Sequence, residues 1–183
     1  MNVILEIKDL NISLKEKKGP IVKNISFNLA QGKVLGIIGE SGSGKTLTCK
    51  AIMRLLGEKK FDVSGSVRLK GEDLLQMNDK QINRILGKDI SMIMQNPMTA
   101  FDPMMKIGNQ IVETIRAHTT LSRKAAYSMG IKELEKMNLS RISEIMNSYP
   151  HTLSGGMLQR IMIALSLMLR PSVIIADEAT TAL

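Results

Sequence analysis

The sequence predicts an α/β fold with two attachments: an antiparallel β layer at the N-terminus and a block of helices inserted late in the chain. Three observations carry this. First, Leu5, Ile7 and Leu10 alternate loosely with charged residues, and residues 21–29 repeat the theme, as in half-exposed antiparallel strands. Second, the runs KVLGII (33–38, apolar after Lys33), ISMIM (90–94) and VIIA (173–176) are apolar on both faces and rich in β-branched residues. That pattern belongs to buried parallel strands. Third, no strand pattern appears between the last two of these runs, where helical periodicity takes over.

Each element follows from its residues. The second antiparallel strand ends at the turn Gln31-Gly32, and the run 33–38 is stopped by a glycine. Residues 46–56 carry Leu47, Ile52, Leu55 and Leu56 at helical spacing and stop at Gly57. Residues 63–69 read as a strand closed by Lys70-Gly71, and Asn78 or Asp79 is placed to cap a helix reaching Leu86. Residues 107–118 and 122–137 have mixed helical periodicity, with Ser122 as an N-cap. Residues 156–169 form a further helix, broken by Pro171, and the run VIIA ends at Asp177-Glu178. The expected division is a core with its β layer over 1–96 and 154–183, and a helical subdomain over 97–153.

Composition narrows the class. A chain of 183 residues with 44% hydrophobic and 23% charged residues can bury a core, which excludes wholesale disorder. Cys49 is the only cysteine, so no disulfide scaffold is available. The longest apolar stretch, 161–169, is about half of the ~20 residues needed to span a bilayer. Residues 3–10 already contain Glu6, Lys8 and Asp9, which is no signal peptide. A cytoplasmic protein is expected. The net charge of +8 invites nucleic acid or an anionic surface as partner. With no Trp, two Tyr and three Phe, however, there is no platform for stacking bases. The basic clusters at 15–18 and 59–60 lie beside turn residues and read as solvated loops, so no nucleic acid is expected. Fourteen methionines, concentrated between Met92 and Met168, serve either as core filler or as an adaptable surface for a partner.

Three motifs carry chemistry. Gly39, Glu40, Ser41, Gly42, Ser43, Gly44, Lys45 and Thr46 fit G-x-x-x-x-G-K-[ST], between an apolar run and a helical pattern as that motif requires. The glycines let successive backbone N–H groups turn inward onto phosphate, and the following helix adds its positive end. Lys45 supplies a point charge, and the Thr46 hydroxyl a ligand for Mg²⁺. Asp177 and Glu178 stand at the C-terminal end of a strand, Asp177 to hold Mg²⁺ directly or through water, Glu178 to orient or deprotonate an attacking water. Ser154, Gly155 and Gly156 after Leu153 make a second anion-binding corner at a helix start. Read alone, Gly155-Gly156 is equally a plain helix start. Read with the other two motifs, the corner serves a nucleotide held by another copy, since one nucleotide does not need two such corners from one chain.

With these residues in place, nearly the whole chain resembles the nucleotide-binding subunits of ABC transporters. The resemblance implies a P-loop ATPase core binding ATP and Mg²⁺. It also implies a head-to-tail homo- or heterodimer that sandwiches ATP between the glycine-rich loop of one subunit and the Leu-Ser-Gly-Gly signature of the other. Gln95, directly after the second apolar run, matches the family's glutamine switch toward Mg²⁺ and water. Residues 95–103 (QNPMTAFDP), Gly108-Asn109-Gln110, Tyr149-Pro150-His151 and Met157 look like the subgroup that imports oligopeptides or nickel. Residues 39–50 and 154–159 are most similar to the ATPases of nickel or metal-chelate importers. The implied partners are membrane permeases and, through them, an extracytoplasmic substrate-binding protein; the implied place is the cytoplasmic face of the membrane.

Three departures accompany the resemblance. Leu14 stands where the family stacks an aromatic on adenine, and Ala179 where it has proline. The sequence ends at Leu183, before the family's switch histidine and the strand leading to it, which lies between the runs 33–38 and 173–176. Those runs are therefore expected to lack a neighbour, with a core sheet incomplete at its C-terminal part and no competent hydrolysis by this chain alone. His118 and His151 precede Glu178 and read as polar surface or loop residues. A non-transporting ABC-type ATPase, in DNA repair or translation, and a non-catalytic nucleotide-binding fragment are the alternatives.

Overall fold

The computed structural model describes residues 2–16 and 19–178. The chain packs as two compact units, Met1–Leu86 and Gly87–Leu183.

The first unit is built on an antiparallel sheet in the order β2-β1-β3-β4. Its strands are β1 (Val3–Leu14), β2 (Pro20–Ala30), β3 (Phe61–Leu69) and the short β4 (Glu72–Asp73). Leu5, Ile7, Leu10 and Ile12 of β1 point into the core with Val22, Val67 and Leu69. The inward positions change phase between Ile7 and Leu10, which explains the loose alternation in the sequence. A bulge at Asp9 (φ +49°) shifts the register against both neighbours. Its backbone groups are satisfied locally. The Asp9 N–H donates to Ser26 Oγ at 2.9 Å, and the Asn11 side-chain amide donates to the Asp9 carbonyl at 2.7 Å.

Gly65 makes this bulge possible. Its φ is +102°, and a Cβ there would stand 2.5 Å from the Asp9 carbonyl oxygen. Left-handed strain and a clash with main chain add up, so Gly65→Ala is expected to destabilise the protein by about 2–4 kcal/mol. The check is the urea midpoint, which should fall with the slope unchanged; equal midpoints would mean the bulge does not depend on this glycine.

Helix α1 (Lys45–Ile52) packs on β1 and buries Ala51 and Ile52. It stops earlier than the expected residue 56. Arg54 turns left-handed (φ +51°) and its guanidinium donates to the Met77 carbonyl and to Glu58, holding the chain in a non-helical path. Helix α2 (Asp79–Ile85) is capped by Asn78, which accepts from the Gln81 N–H while Gln81 Oε1 accepts from the Asn78 N–H, both at 3.0 Å.

One expectation fails here. Residues 33–38 form no strand and are exposed throughout, with Val34 99% and Ile38 97% accessible. An extended apolar segment becomes a buried strand only when neighbours complete its ladder and cover its faces. Among the described residues no strand lies beside it. The expectation of burial is not met.

The second unit has a two-stranded parallel sheet, β5 (Ile90–Ile93) with β6 (Val173–Ala176), in register from Ile90↔Val173 to Ile93↔Ala176. Strand β6, expected to be buried on both faces, leaves Ile174 40% exposed, because β5 is its sole strand partner among the described residues. Among the described residues four α-helices complete the unit: α3 (Ile107–His118), α4 (Arg123–Glu135), α5 (Ile142–Asn147) and α6 (Gly155–Met168). Ile107, Ile111 and Ile115 line one face of α3 at four-residue spacing and are fully buried with Leu134, Ile145, Met146, Leu158 and Ile161. Helix α4 passes close to α3 at Gly130, where a Cβ would stand 2.5 Å from Ile111 Cγ2. Ser122 caps α4, accepting from the Ala125 N–H at 3.2 Å. Helix α5 was not expected. Six residues give less than two turns, too few for a periodic signal.

Candidate functional site

The glycine-rich loop belongs to the first unit. After residues 33–40, which form neither helix nor strand, the chain turns through Ser41, Gly42 and Ser43, with the Ser43 N–H donating to the Glu40 carbonyl at 3.2 Å. Gly42 (φ +82°) and Gly44 (φ +95°) adopt the backbone region that side chains disfavour. Gly44 must also lack a side chain because a Cβ would meet Val22 Cγ2 at 2.6 Å. It starts α1 without any side-chain cap. The Lys45 ammonium folds back over the loop and donates to the carbonyls of Gly39 and Glu40, both at 2.8 Å. A lysine has three donors and a full charge. The loop therefore presents a tethered cation, with one N–H in hand, beside an uncapped helix N-terminus, which is the chemistry of an anion cradle. Thr46 follows in the first turn of α1.

Gln95, Asp177 and Glu178 belong to the second unit. The parallel register of β5 and β6 brings the residues after Ile93 and after Ala176 to the same C-terminal edge. Asp177 continues the ladder, its N–H donating to the Ile93 carbonyl at 2.9 Å, and is 94% removed from solvent at 6% accessibility. Glu178 turns left-handed (φ +48°) and projects outward. The Gln95 side-chain amide donates to Glu178 Oε2. A non-glycine residue in this conformation at a strand end, facing a carboxamide, is a strained and directed carboxylate. Ala179 lies outside the described residues.

Ser154, Gly155 and Gly156 open α6. Ser154 caps the helix, its Oγ accepting from the Met157 N–H at 3.3 Å, which leaves the hydroxyl proton available to donate. A Cβ on Gly155 would meet nothing within 4 Å, so the corner is open to an approaching group. The structure thus gathers the expected residues into three places: the loop around Lys45, the Gln95–Glu178 edge with Asp177, and the α6 corner.

Among the described residues no group of three or more His, Cys, Asp or Glu side chains converges to cage a metal. Thr46 in the first unit, and Gln95 and Asp177 in the second, each carry a side-chain oxygen of the kind that Mg²⁺ accepts as a ligand. His118 ends α3, and its imidazole is held below the ordinary 6.5 by burial and then by the nearby Lys88, so it stays neutral at pH 7. His151 stacks on Tyr149 with centroids 5.7 Å apart. Two arrangements escaped sequence reasoning. Leu14 stands opposite Phe61 in the β1–β3 register, an aromatic neighbour far away in the chain. Gln110, quoted above only as part of a pattern, bonds three times to the turn before α3.

An α/β chain carrying these motifs has the outline of an ATP-binding cassette. Residues 22–181 match the family described as ABC transporter, and the chain belongs to it. It is 43% identical over 180 residues to the metal-staphylopine import system ATP-binding protein CntD of Staphylococcus aureus, covering 98% of this chain and 66% of CntD. It is 41% identical over 185 residues to the oligopeptide transport ATP-binding protein OppD of Haemophilus influenzae, covering 100% of this chain and 57% of OppD. The chain therefore spans somewhat less than two thirds of these relatives. Its fold is similar to the dimeric ATP-binding cassette MJ0796 in a post-hydrolysis state bound to ADP and Pi, with TM-score 0.84, 24% identity and coverage of 98% of this chain and 76% of that one. Among the described residues no helix is long and apolar enough to cross a membrane.

Proposed function

We propose that this protein is the ATP-binding subunit of an importer for metal chelates or oligopeptides, working peripherally at the cytoplasmic face of the membrane. The observation that carries the reading is the Gln95–Glu178 hydrogen bond at the C-terminal edge of the parallel strands, where α/β sheets bind and process ligands. In this reading residues 39–46 hold the phosphates, with Lys45 leaving its carbonyl partners for the γ-phosphate. Thr46, Asp177 and Gln95 hold Mg²⁺. Glu178 accepts a proton from water as the water oxygen bonds to the γ-phosphorus and the bond to the ADP oxygen breaks. Ser154, Gly155 and Gly156 complete the site on a second ATPase subunit, identical or homologous, and that subunit returns the contribution.

The named relatives favour import over repair or translation, and the metal-staphylopine and oligopeptide systems give the candidate solutes. The ATPase touches neither solute, so the test belongs to the assembled transporter. Reconstituted with its permease and binding protein in vesicles, it should drive ATP-dependent uptake of a metal chelate or an oligopeptide. Uptake of neither, by a complex that hydrolyses ATP, would sink the importer reading.

Residues 97–110 supply the docking surface for the permease in this proposal. Met98 and Met104 are exposed there, 45% and 85%, while Phe101 anchors the segment from below at 6%. Adaptable apolar side chains at the surface suit a partner helix. Cysteines placed at Met98 and Met104 are expected to cross-link to cytoplasmic loops of the permease in the assembled complex. Cross-linking no more frequent than from an exposed control site such as Lys80 would remove this segment from the interface.

A further inference from the structure

Strand β5 is held differently on its two edges. Alternate residues of a strand turn their carbonyls to opposite edges. On the edge facing β6, the Ile93 carbonyl accepts from the Asp177 N–H at 2.9 Å and the Asp89 carbonyl from the Ser172 N–H at 2.8 Å. Ile90 and Met92 therefore turn theirs to the other edge, where no strand lies among the described residues. The Ile90 carbonyl is met there by the Gly87 N–H at 2.8 Å, in the turn that leads into the strand. The Met92 carbonyl is met by a side chain: Ser166 Oγ donates to it at 3.1 Å, across 74 residues. A serine inside a helix can turn its hydroxyl back to the carbonyl one turn earlier. Ser166, 6% accessible in the otherwise apolar stretch 161–169 of α6, reaches out of the helix instead. An apolar helix face needs no hydroxyl to pack on a strand, and a buried hydroxyl without a partner is costly. The bond marks a point where α6 fixes the main chain of β5 rather than merely covering it.

Gln95, whose amide donates to Glu178, follows shortly after Met92 in the same chain segment. We infer that Ser166 is a positioning residue for this pair: by holding the Met92 carbonyl it fixes the end of β5 from the edge opposite β6, and with it the direction in which Gln95 meets Glu178. The inference rests on the reading of Gln95 and Glu178 as the place where water is activated, and extends that reading to a residue acting through the main chain. With the hydroxyl gone, Ile93 keeps its bond to Asp177 while Met92 loses its own. The strand end can then turn about the bond that remains. A misplacement of about 1 Å at a reacting group can cost ~10²-fold in rate, and a loosening on one edge is expected to cost less than that.

The test compares steady-state phosphate release by the assembled transporter and its variants. Ser166→Ala is expected to lower kcat about 3–10-fold with KM for ATP unchanged, because the phosphate loop at 39–46 is untouched. Alanine is the better helix former, so α6 persists and thermal unfolding should stay cooperative. Ile161→Val removes a methylene from the buried face of the same helix without touching the bond to Met92, and should leave kcat at the parent level. Gln95→Ala should be slower than Ser166→Ala. The double variant should be no slower than Gln95→Ala alone, since Ser166 acts through that side chain. Four results would each overturn the positioning role and leave the Gln95–Glu178 site standing: parent-level kcat in Ser166→Ala, a loss confined to KM, full additivity in the double variant, or an equal loss in Ile161→Val. Parent-level turnover in Gln95→Ala would overturn the reading of that site, and this inference with it.

Discussion

Lys45→Ala is expected to weaken Mg-ATP binding at least about 10–100-fold while leaving the fold intact. The size follows from the interaction lost. A charge-assisted hydrogen bond is worth about 1.5–3 kcal/mol, and each 1.4 kcal/mol is tenfold in affinity. The selectivity follows from what Lys45 now touches. Its ammonium bonds the carbonyls of Gly39 and Glu40 on an exposed loop, so water replaces it there at little cost. The loop's shape depends instead on Gly42 and Gly44 at positive φ and on the tight approach of Gly44 to Val22. Lys45→Arg keeps the charge but carries a planar fork that the two carbonyls cannot hold in the same way, and should bind with intermediate affinity. Calorimetry on the three proteins, with thermal unfolding as the control for fold, gives the answer. Equal ATP affinity in Lys45→Ala and the parent would end the assignment of residues 39–46 as the phosphate loop.

What the sequence made legible, and what it did not, divides by the range of the forces involved. Residues 39–46 could be assigned from the chain alone because glycine, lysine and threonine act there through the local backbone. The cap Ser122 was readable for the same reason, as were a cap at Asn78 or Asp79 and a helix start at Ser154; Asn78, Ser122 and Ser154 each bond three residues ahead. The strand ends at 90–94 and 173–176 were found by their apolar runs. Their parallel register, which sets Gln95 against Glu178 across 83 residues, is a property of pairing and lies beyond any window. The run 33–38 shows the converse. Its composition asks for burial, yet burial depends on neighbours that a strand cannot supply for itself, and the segment stands exposed. The bulge at Asp9 blurred an alternation that would otherwise have been clean, because its signal, Gly65, is on another strand. Gln110 was legible as a pattern and illegible as a clamp, since its partners are main-chain groups whose direction only the fold determines.

In the assembled transporter, Glu178→Gln is expected to cut steady-state phosphate release by about 10²–10⁴-fold with ATP binding preserved, the usual scale for loss of a positioned general base. The amide keeps the shape of the carboxylate, and one of its atoms, Oε1, can still accept from the Gln95 amide, so the strand edge stays as it is. What it cannot do is take the proton from water as the γ-phosphate is attacked. If two subunits share the nucleotide as proposed, ATP would then remain bound and hold the pair closed, so the variant should accumulate as a stable dimer in ATP and separate in ADP. Gln95→Ala provides the contrast. It leaves the base in place but frees the carboxylate to swing, and a base out of line loses catalysis through orientation alone. Its rate should therefore fall less than that of Glu178→Gln, and its ATP-bound dimer should turn over and decay. Phosphate release and size-exclusion profiles on the parent and both variants distinguish these outcomes. Turnover in Glu178→Gln equal to the parent would remove Glu178 from the chemistry; a larger loss in Gln95→Ala than in Glu178→Gln would place the proton acceptor elsewhere and leave Glu178 a supporting role at the edge of β6.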